Sequence, residues 1–155
     1  MKIENGERAK WLTLLKSVKF FKAFDDSDIA VFLDTGDVRH HKLHDYIFRE
    51  GENGDSFYVI LRGSVKIIKQ GHHHEKKEVG NLEAGDNFGE MGLLMGLPRT
   101  ASILTASDSY ILKINAQDIN SMPQSTQVKV YRAFAEFLAM RLKVTTEEKV
   151  FPNFY

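Results

Sequence analysis

Between residues 37 and 115 the chain is cut into short β-branched and aromatic runs, each too brief for a helix and each bounded by glycine or acidic turn residues. The runs fall at 46–49, 57–62, 64–69, 78–82, 102–106 and 110–114, with Gly51, Gly54, Gly63, Gly71, Gly80 and Gly85 between or beside them. Strands this short and this close together leave no room for crossover helices between parallel neighbours. The pattern therefore predicts a compact antiparallel barrel or jelly roll rather than a parallel sheet.

Helical periodicity flanks this region. From Glu7 to Val18, the residues Trp11, Leu12, Leu14, Leu15 and Val18 recur at helical spacing and run into the aromatic group Phe20, Phe21 and Phe24. Asp25, Asp26 or Ser27 can cap a second short helix carrying Ile29, Phe32 and Leu33 on one face, with Gly36 at its expected stop. After the barrel, Val128, Tyr131, Ala135, Leu138, Leu142 and Thr145 are spaced alternately three and four apart within a helix over 124–149. The expected fold class is mainly β with flanking helices (α+β). Helices occupy 7–34, the barrel 37–115 and further helices 116–150, all in one domain over 1–155.

A chain of 155 residues with 43% hydrophobic side chains can bury a real core but cannot hold a second full domain. Lys plus Arg and Asp plus Glu balance at 21 each, so no global field draws in nucleic acid or an anionic membrane, and an anion site must be built locally. The first 22 residues carry eight charges and offer no apolar run for a signal peptide or membrane span. With no cysteine, disulfides and thiolate metal sites are excluded, and a cytoplasmic location is expected.

The chemistry concentrates in Phe88-Gly89-Glu90-Met91-Gly92-Leu93-Leu94-Met95-Gly96-Leu97-Pro98-Arg99-Thr100-Ala101-Ser102. Gly89 and Gly92 clear side chains from around a carboxylate, and Leu93 and Leu94 can begin a helical turn whose first amides are open to an anion. Nine residues after Glu90, Arg99 supplies a planar, permanently charged fork suited to phosphate oxygens, and Pro98 stiffens its approach. A carboxylate beside a phosphate is repelled unless it accepts from a donor of its own. A sugar hydroxyl is such a donor, so sugar and phosphate together explain Glu90 plus Arg99 better than phosphate alone. Nothing in the segment calls for a metal or a nucleophile, and no enzymatic activity is expected.

This segment resembles the phosphate-binding cassette of cyclic nucleotide-binding domains, the family that includes the catabolite activator protein and the regulatory subunits of cyclic-AMP-dependent protein kinase. Upstream, Glu50-Gly51-Glu52-Asn53-Gly54-Asp55 with Tyr58 and Gly63 is similar to that family's glycine-punctuated strands, and the likeness extends over residues 18–150. The resemblance implies a double-stranded β-helix (jelly-roll) barrel that binds cyclic AMP or cyclic GMP and needs no metal. It implies that Glu90 accepts from the ribose 2′-hydroxyl and that Arg99 pairs with the equatorial phosphate oxygens. The amides of Gly89, Gly92 and Thr100 would line the site, and Ala101 would keep the approach narrow; the Thr100 hydroxyl could reach the phosphate or, as in guanine-preferring relatives, the amino group of a syn base, so this residue alone does not choose the base. Thr145 and Thr146 match a Thr-Ser pair that reaches adenine from the long helix of the catabolite activator protein, which tilts the expectation to cyclic AMP; the bland alternative is a solvated helix end. The chain departs from the family at His44, where a glycine commonly opens a turn, and at Gly92, where alanine is common.

Other features are weighed against plainer readings. His72-His73-His74 lies in a charged turn where adjacent histidines rarely converge on one ion, and on an extended strand His40 and His41 point to opposite faces. The three-four stripe could be a homodimer seam, but it spans under three heptads, and such a stripe more often packs on its own barrel. Relatives that regulate transcription carry a helix-turn-helix after the dimer helix. Here the chain ends at Tyr155, so no direct DNA binding is expected, and either the output passes to a separate downstream protein or the chain is a fragment of something longer. Glu90 and Arg99 could instead form a salt bridge in a structural or protein-interaction domain of the same fold with a non-functional pocket.

Overall fold

The computed structural model describes residues 6–147, with side chains described through 144. Helix α1 (Arg8–Ser17) leads through a single 3-10 turn (Lys19–Phe21) to α2 (Asp26–Thr35). Asp25 caps α2 by accepting from the Asp28 amide at 2.9 Å, while the Asp28 carboxylate accepts from the Asp25 amide at 3.0 Å. Gly36 ends the helix as expected, though in extended rather than left-handed backbone. Space dictates it: a β-carbon there would stand 2.5 Å from Leu112 Cδ1 and 2.7 Å from the Phe32 carbonyl oxygen.

The barrel strands are β1 (Asp37–His41), β2 (Tyr46–Phe48), β3 (Ser56–Arg62), β4 (Ser64–Gln70), β5 (Lys76–Glu83), β6 (Asn87–Phe88), β7 (Ser102–Thr105) and β8 (Ser109–Asn115). Helix α3 (Glu90–Met95) interrupts them after β6, and α4 (Ala116–Ser121) and α5 (Gln124–Glu147) follow. All six runs read from the sequence are strands; β1 and β6 are additional. The strands form two antiparallel sheets in the orders β1-β8-β3-β6 and β2-β7-β4-β5, the jelly roll that the glycine-punctuated pattern predicts.

Strand β3 is buried on both faces and so joins two cores. Phe57, Val59 and Leu61 face the helices, where Phe57 meets Phe20 at 5.6 Å and Phe134 of α5 edge-on at 4.7 Å. Tyr58 and Ile60 point the other way, into the space between the sheets, with Phe48, Val65, Ile67, Phe88, Ile103 and Ile111. At its start α5 is tied to α2, where Thr126 Oγ1 donates to the buried Asp28 Oδ1 at 2.6 Å and the Lys129 ammonium bonds the other carboxylate oxygen.

Two sequence expectations change here. The three-four stripe of α5 does not pack on the barrel: Val128, Tyr131, Ala135 and Leu142 are exposed and Leu138 is only half-buried. Thr126, Val130 and Phe134 turn inward instead, because the aromatic cluster of α1, the 3-10 turn and β3 offers more apolar surface than the flank of the barrel. His44 does not disturb its turn either. It adopts left-handed backbone itself (φ 67°), and the turn is closed by Thr105, whose carbonyl accepts from the His44 amide and whose hydroxyl donates to the Lys42 carbonyl at 2.6 Å.

Candidate functional site

The segment between β6 and β7 is held across the end of the barrel by long-range bonds. Gly89 caps α3 in left-handed backbone (φ 83°), a conformation that turns the chain sharply out of β6 and favours glycine. Beyond α3, the Arg99 amide donates to the Glu52 carbonyl and the Gly51 amide to the Arg99 carbonyl, both at 2.8 Å. Lys69 of β4 donates to the Thr100 carbonyl at 2.6 Å and pairs with Glu50. The segment is thus stitched to both sheets, while Leu94, Met95 and Leu97 stay exposed on its outer side.

Arg99 is 6% exposed, and its guanidinium lies over the Phe48 ring at 4.2 Å. Nη1 donates to the Gly89 carbonyl at 2.9 Å and Nη2 to the Ser56 carbonyl at 3.0 Å. The cradle is shaped by missing side chains. A β-carbon at Gly89 or Gly92 would stand 3.0 Å from Nη1, and one at Gly54 only 2.4 Å from both Nε and Nη2. Burial pulls the Arg99 pKa below the usual arginine value, and the charges of Tyr58, Asp55, Glu52 and Glu90 oppose that shift.

Glu90 opens α3 and is 1% exposed. Burial raises its pKa to about 7, and four effects oppose the rise: its own main-chain N–H, the Asn87 amide, and the charges of Arg141 and Arg99. Asn87 Nδ2 donates to Glu90 Oε2 at 3.2 Å. Among the described residues no Glu90–Arg99 ion pair forms; Glu90 is held by Asn87 and Arg99 by the Gly89 and Ser56 carbonyls.

The structure therefore brings together Gly89, Glu90, Gly92, Arg99, Thr100 and Ala101, with Ala101 buried in the inter-sheet core. Thr145 and Thr146 fall in the last turn of α5, and their side chains lie outside the described residues. Sequence reasoning missed Phe48, the Ser56 carbonyl, Lys69 and Asn87. Gly54 carried a visible signal, as a glycine in the quoted upstream stretch, but its partner lies 45 positions away and only the fold shows it. Among the described residues no group of three or more histidines and acids is placed to hold a metal, and no helix is long and apolar enough to cross a membrane.

Comparison with known proteins agrees with this geometry. The sequence model described as "Cyclic nucleotide-binding domain" matches residues 38–126. A cGMP-dependent protein kinase of Drosophila melanogaster (isozyme 2, forms cD5/T2) is 32% identical over 143 residues, covering 90% of this chain and 15% of the kinase. Human Rap guanine nucleotide exchange factor 3 is 33% identical over 94 residues, covering 60% of this chain and 10% of that protein. The chain thus spans a small fraction of the length of these relatives. Among solved structures, the regulatory domain of Toxoplasma gondii PKA crystallised with cAMP superposes with a TM-score of 0.71 at 26% identity, over 84% of this chain and 51% of the other. A cyclic nucleotide-binding domain from Methylobacillus flagellatus superposes with a TM-score of 0.80 at 18% identity, over 97% and 88%. Since the match runs from Val38 through the cassette to Thr126, more than half of the sequence, the chain belongs to the cyclic nucleotide-binding domain family.

Proposed function

We propose that this chain is a non-catalytic regulatory module that binds cyclic AMP in preference to cyclic GMP and transmits binding through α5. The observation that carries the reading is a buried acid opening one short helical turn whose capping Gly89 carbonyl accepts from a buried guanidinium, with Gly89 and Gly92 leaving room for it. In the proposed complex Glu90 accepts from the ribose 2′-hydroxyl, and Arg99 turns its fork from the Ser56 and Gly89 carbonyls toward the phosphate oxygens. The amides of Gly89, Gly92 and Thr100 line the phosphate, and Ala101 leaves room for it.

Two features support a signalling output. The charge of Arg141 on α5 is felt at Glu90, so the sugar-binding acid and the last turns of the helix share one electrostatic environment. The same helix is anchored at its start, where Thr126 bonds Asp28, and at its middle, where Phe134 packs on Phe57, which leaves its distal part as the lever. A ligand shifts such a lever only by its difference in affinity for the two arrangements, typically 1–3 kcal/mol. The preference for cyclic AMP rests on the likeness of Thr145-Thr146 to the adenine-reaching pair in the long helix of the catabolite activator protein. Calorimetric titration with both nucleotides tests it. Tighter binding of cyclic AMP is expected; tighter cyclic GMP would overturn the choice of base. No heat and no rise in melting temperature with either would leave an interaction domain with a non-functional pocket.

The α5 stripe supports a second copy of the chain as a partner. Val128, Tyr131, Ala135, Leu138 and Leu142 form an outward apolar row at seam spacing, distinct from the face that binds the core. Light scattering at rising concentration is expected to show a shift from one to two chains, and Leu142→Glu to abolish it. A constant single-chain mass would remove the dimer.

A further inference from the structure

Strand β6 contributes two residues whose side chains point to opposite sides of the sheet. Phe88 enters the inter-sheet core, stacked on Tyr58 with ring centroids 5.0 Å apart, so Asn87 must face the helices. There it is 2% exposed and borders an open cavity of about 450 Å³ between α5, the 3-10 turn and the β5–β6 connection, lined by Phe20, Phe137 and Met140 and by charged residues including Lys19, Arg132 and Glu136. A polar amide in such surroundings is unfavourable unless it is used. Its use is the 3.2 Å bond from Nδ2 to Glu90 Oε2, the one side-chain hydrogen bond that the described residues give this carboxylate.

We propose that Asn87 is the positioning residue of the sugar-binding acid: its amide orients Glu90, leaves the other carboxylate oxygen to the 2′-hydroxyl, and so sets how strongly the ribose is held. The inference rests on the proposed function. A buried carboxylate with one oxygen fixed has little rotational freedom left to lose when it accepts from a ligand, and a donor on its partner oxygen favours the ionised, stronger acceptor. The charged groups facing Glu90 are Arg99 from the cassette loop and Arg141 from α5. Arg99 already donates to the Gly89 and Ser56 carbonyls, so the short amide on the paired strand is the group placed to orient the Glu90 carboxylate.

The test compares cyclic AMP with 2′-deoxy cyclic AMP, which keeps the phosphate and base and lacks the hydroxyl. In Asn87→Leu, similar in size and without a donor, cyclic AMP is expected to bind about tenfold more weakly at pH 7.5, the lower end of what a hydrogen bond to a charged group contributes. Binding of 2′-deoxy cyclic AMP should change less than about twofold, which also shows that the variant is folded. Asn87→Asp, isosteric but placing a second acid against Glu90, should lose cyclic AMP at least as strongly. Equal weakening of both nucleotides, or no weakening of cyclic AMP in either variant, would overturn the role of Asn87. A wild-type chain that binds neither nucleotide would instead overturn the sensor reading, and this inference with it.

Discussion

Arg99→Ala is expected to weaken cyclic nucleotide binding by about one to two orders of magnitude, measured by calorimetry, since a hydrogen bond to a charged group contributes about 1.5–3 kcal/mol. The side chain has two tasks in the proposed cycle. Without nucleotide it satisfies the Ser56 and Gly89 carbonyls; with nucleotide it presents the same two donors to phosphate oxygens. Arg99→Lys should recover only a small part of the loss, because a point charge cannot reproduce the planar fork that reaches both groups while stacking on Phe48. Gly54→Ala is the companion variant. Its added methyl would overlap Arg99 Nε and Nη2, so it should displace the guanidinium and weaken binding several-fold without touching the ligand. Unchanged affinity in both Arg99→Ala and Gly54→Ala would reject the phosphate role.

The second large effect is a dependence on pH that traces to one carboxyl. Glu90 releases its proton near 4.5 in the unfolded chain and near 7 in the ligand-free fold. Between those values the folded state holds a proton that the unfolded state has lost. Its contribution to stability is therefore complete below about pH 4.5 and fades as the pH rises through about 7, an effect of up to about 3 kcal/mol. Glu90→Gln, neutral at every pH, should melt at the same temperature as wild type near pH 5 and higher than wild type at pH 8. Binding should run in the opposite sense. If the ionised acid is the acceptor for the 2′-hydroxyl, cyclic AMP affinity rises about tenfold from pH 6 to pH 8 in the wild type and stays flat in Glu90→Gln. A wild-type affinity that does not change over that range would show that the carboxylate is not the acceptor.

Much of this site is written locally. The residues that shape and charge the cassette lie within 15 consecutive positions, 88–102, and a short glycine-rich turn needs its particular residues whatever surrounds it. That is why Gly89, Glu90, Gly92, Arg99, Thr100 and Ala101 were legible without coordinates. Asn87 carried no functional signal in the sequence, because a polar residue before a phenylalanine reads as an ordinary strand end. Its meaning comes from burial, which depends on α5 covering β6. The α5 stripe failed for a related reason. Periodicity identifies an apolar row, but it does not say which of two rows the protein's own core takes, and Phe57 with Phe20 decided for Phe134.

The sequence alone determined the jelly roll between two helical segments and named the candidate cassette residues, because turn chemistry, strand period and cassette spacing act over a few residues. Only the tertiary structure decided where Arg99 rests, how strongly Glu90 holds its proton, that Asn87 donates to it, and which face of α5 packs on the core. Those outcomes depend on desolvation and on bonds between residues as far apart as Ser56 and Arg99 or Asp28 and Thr126, and both arise only when distant strands and helices close over one another.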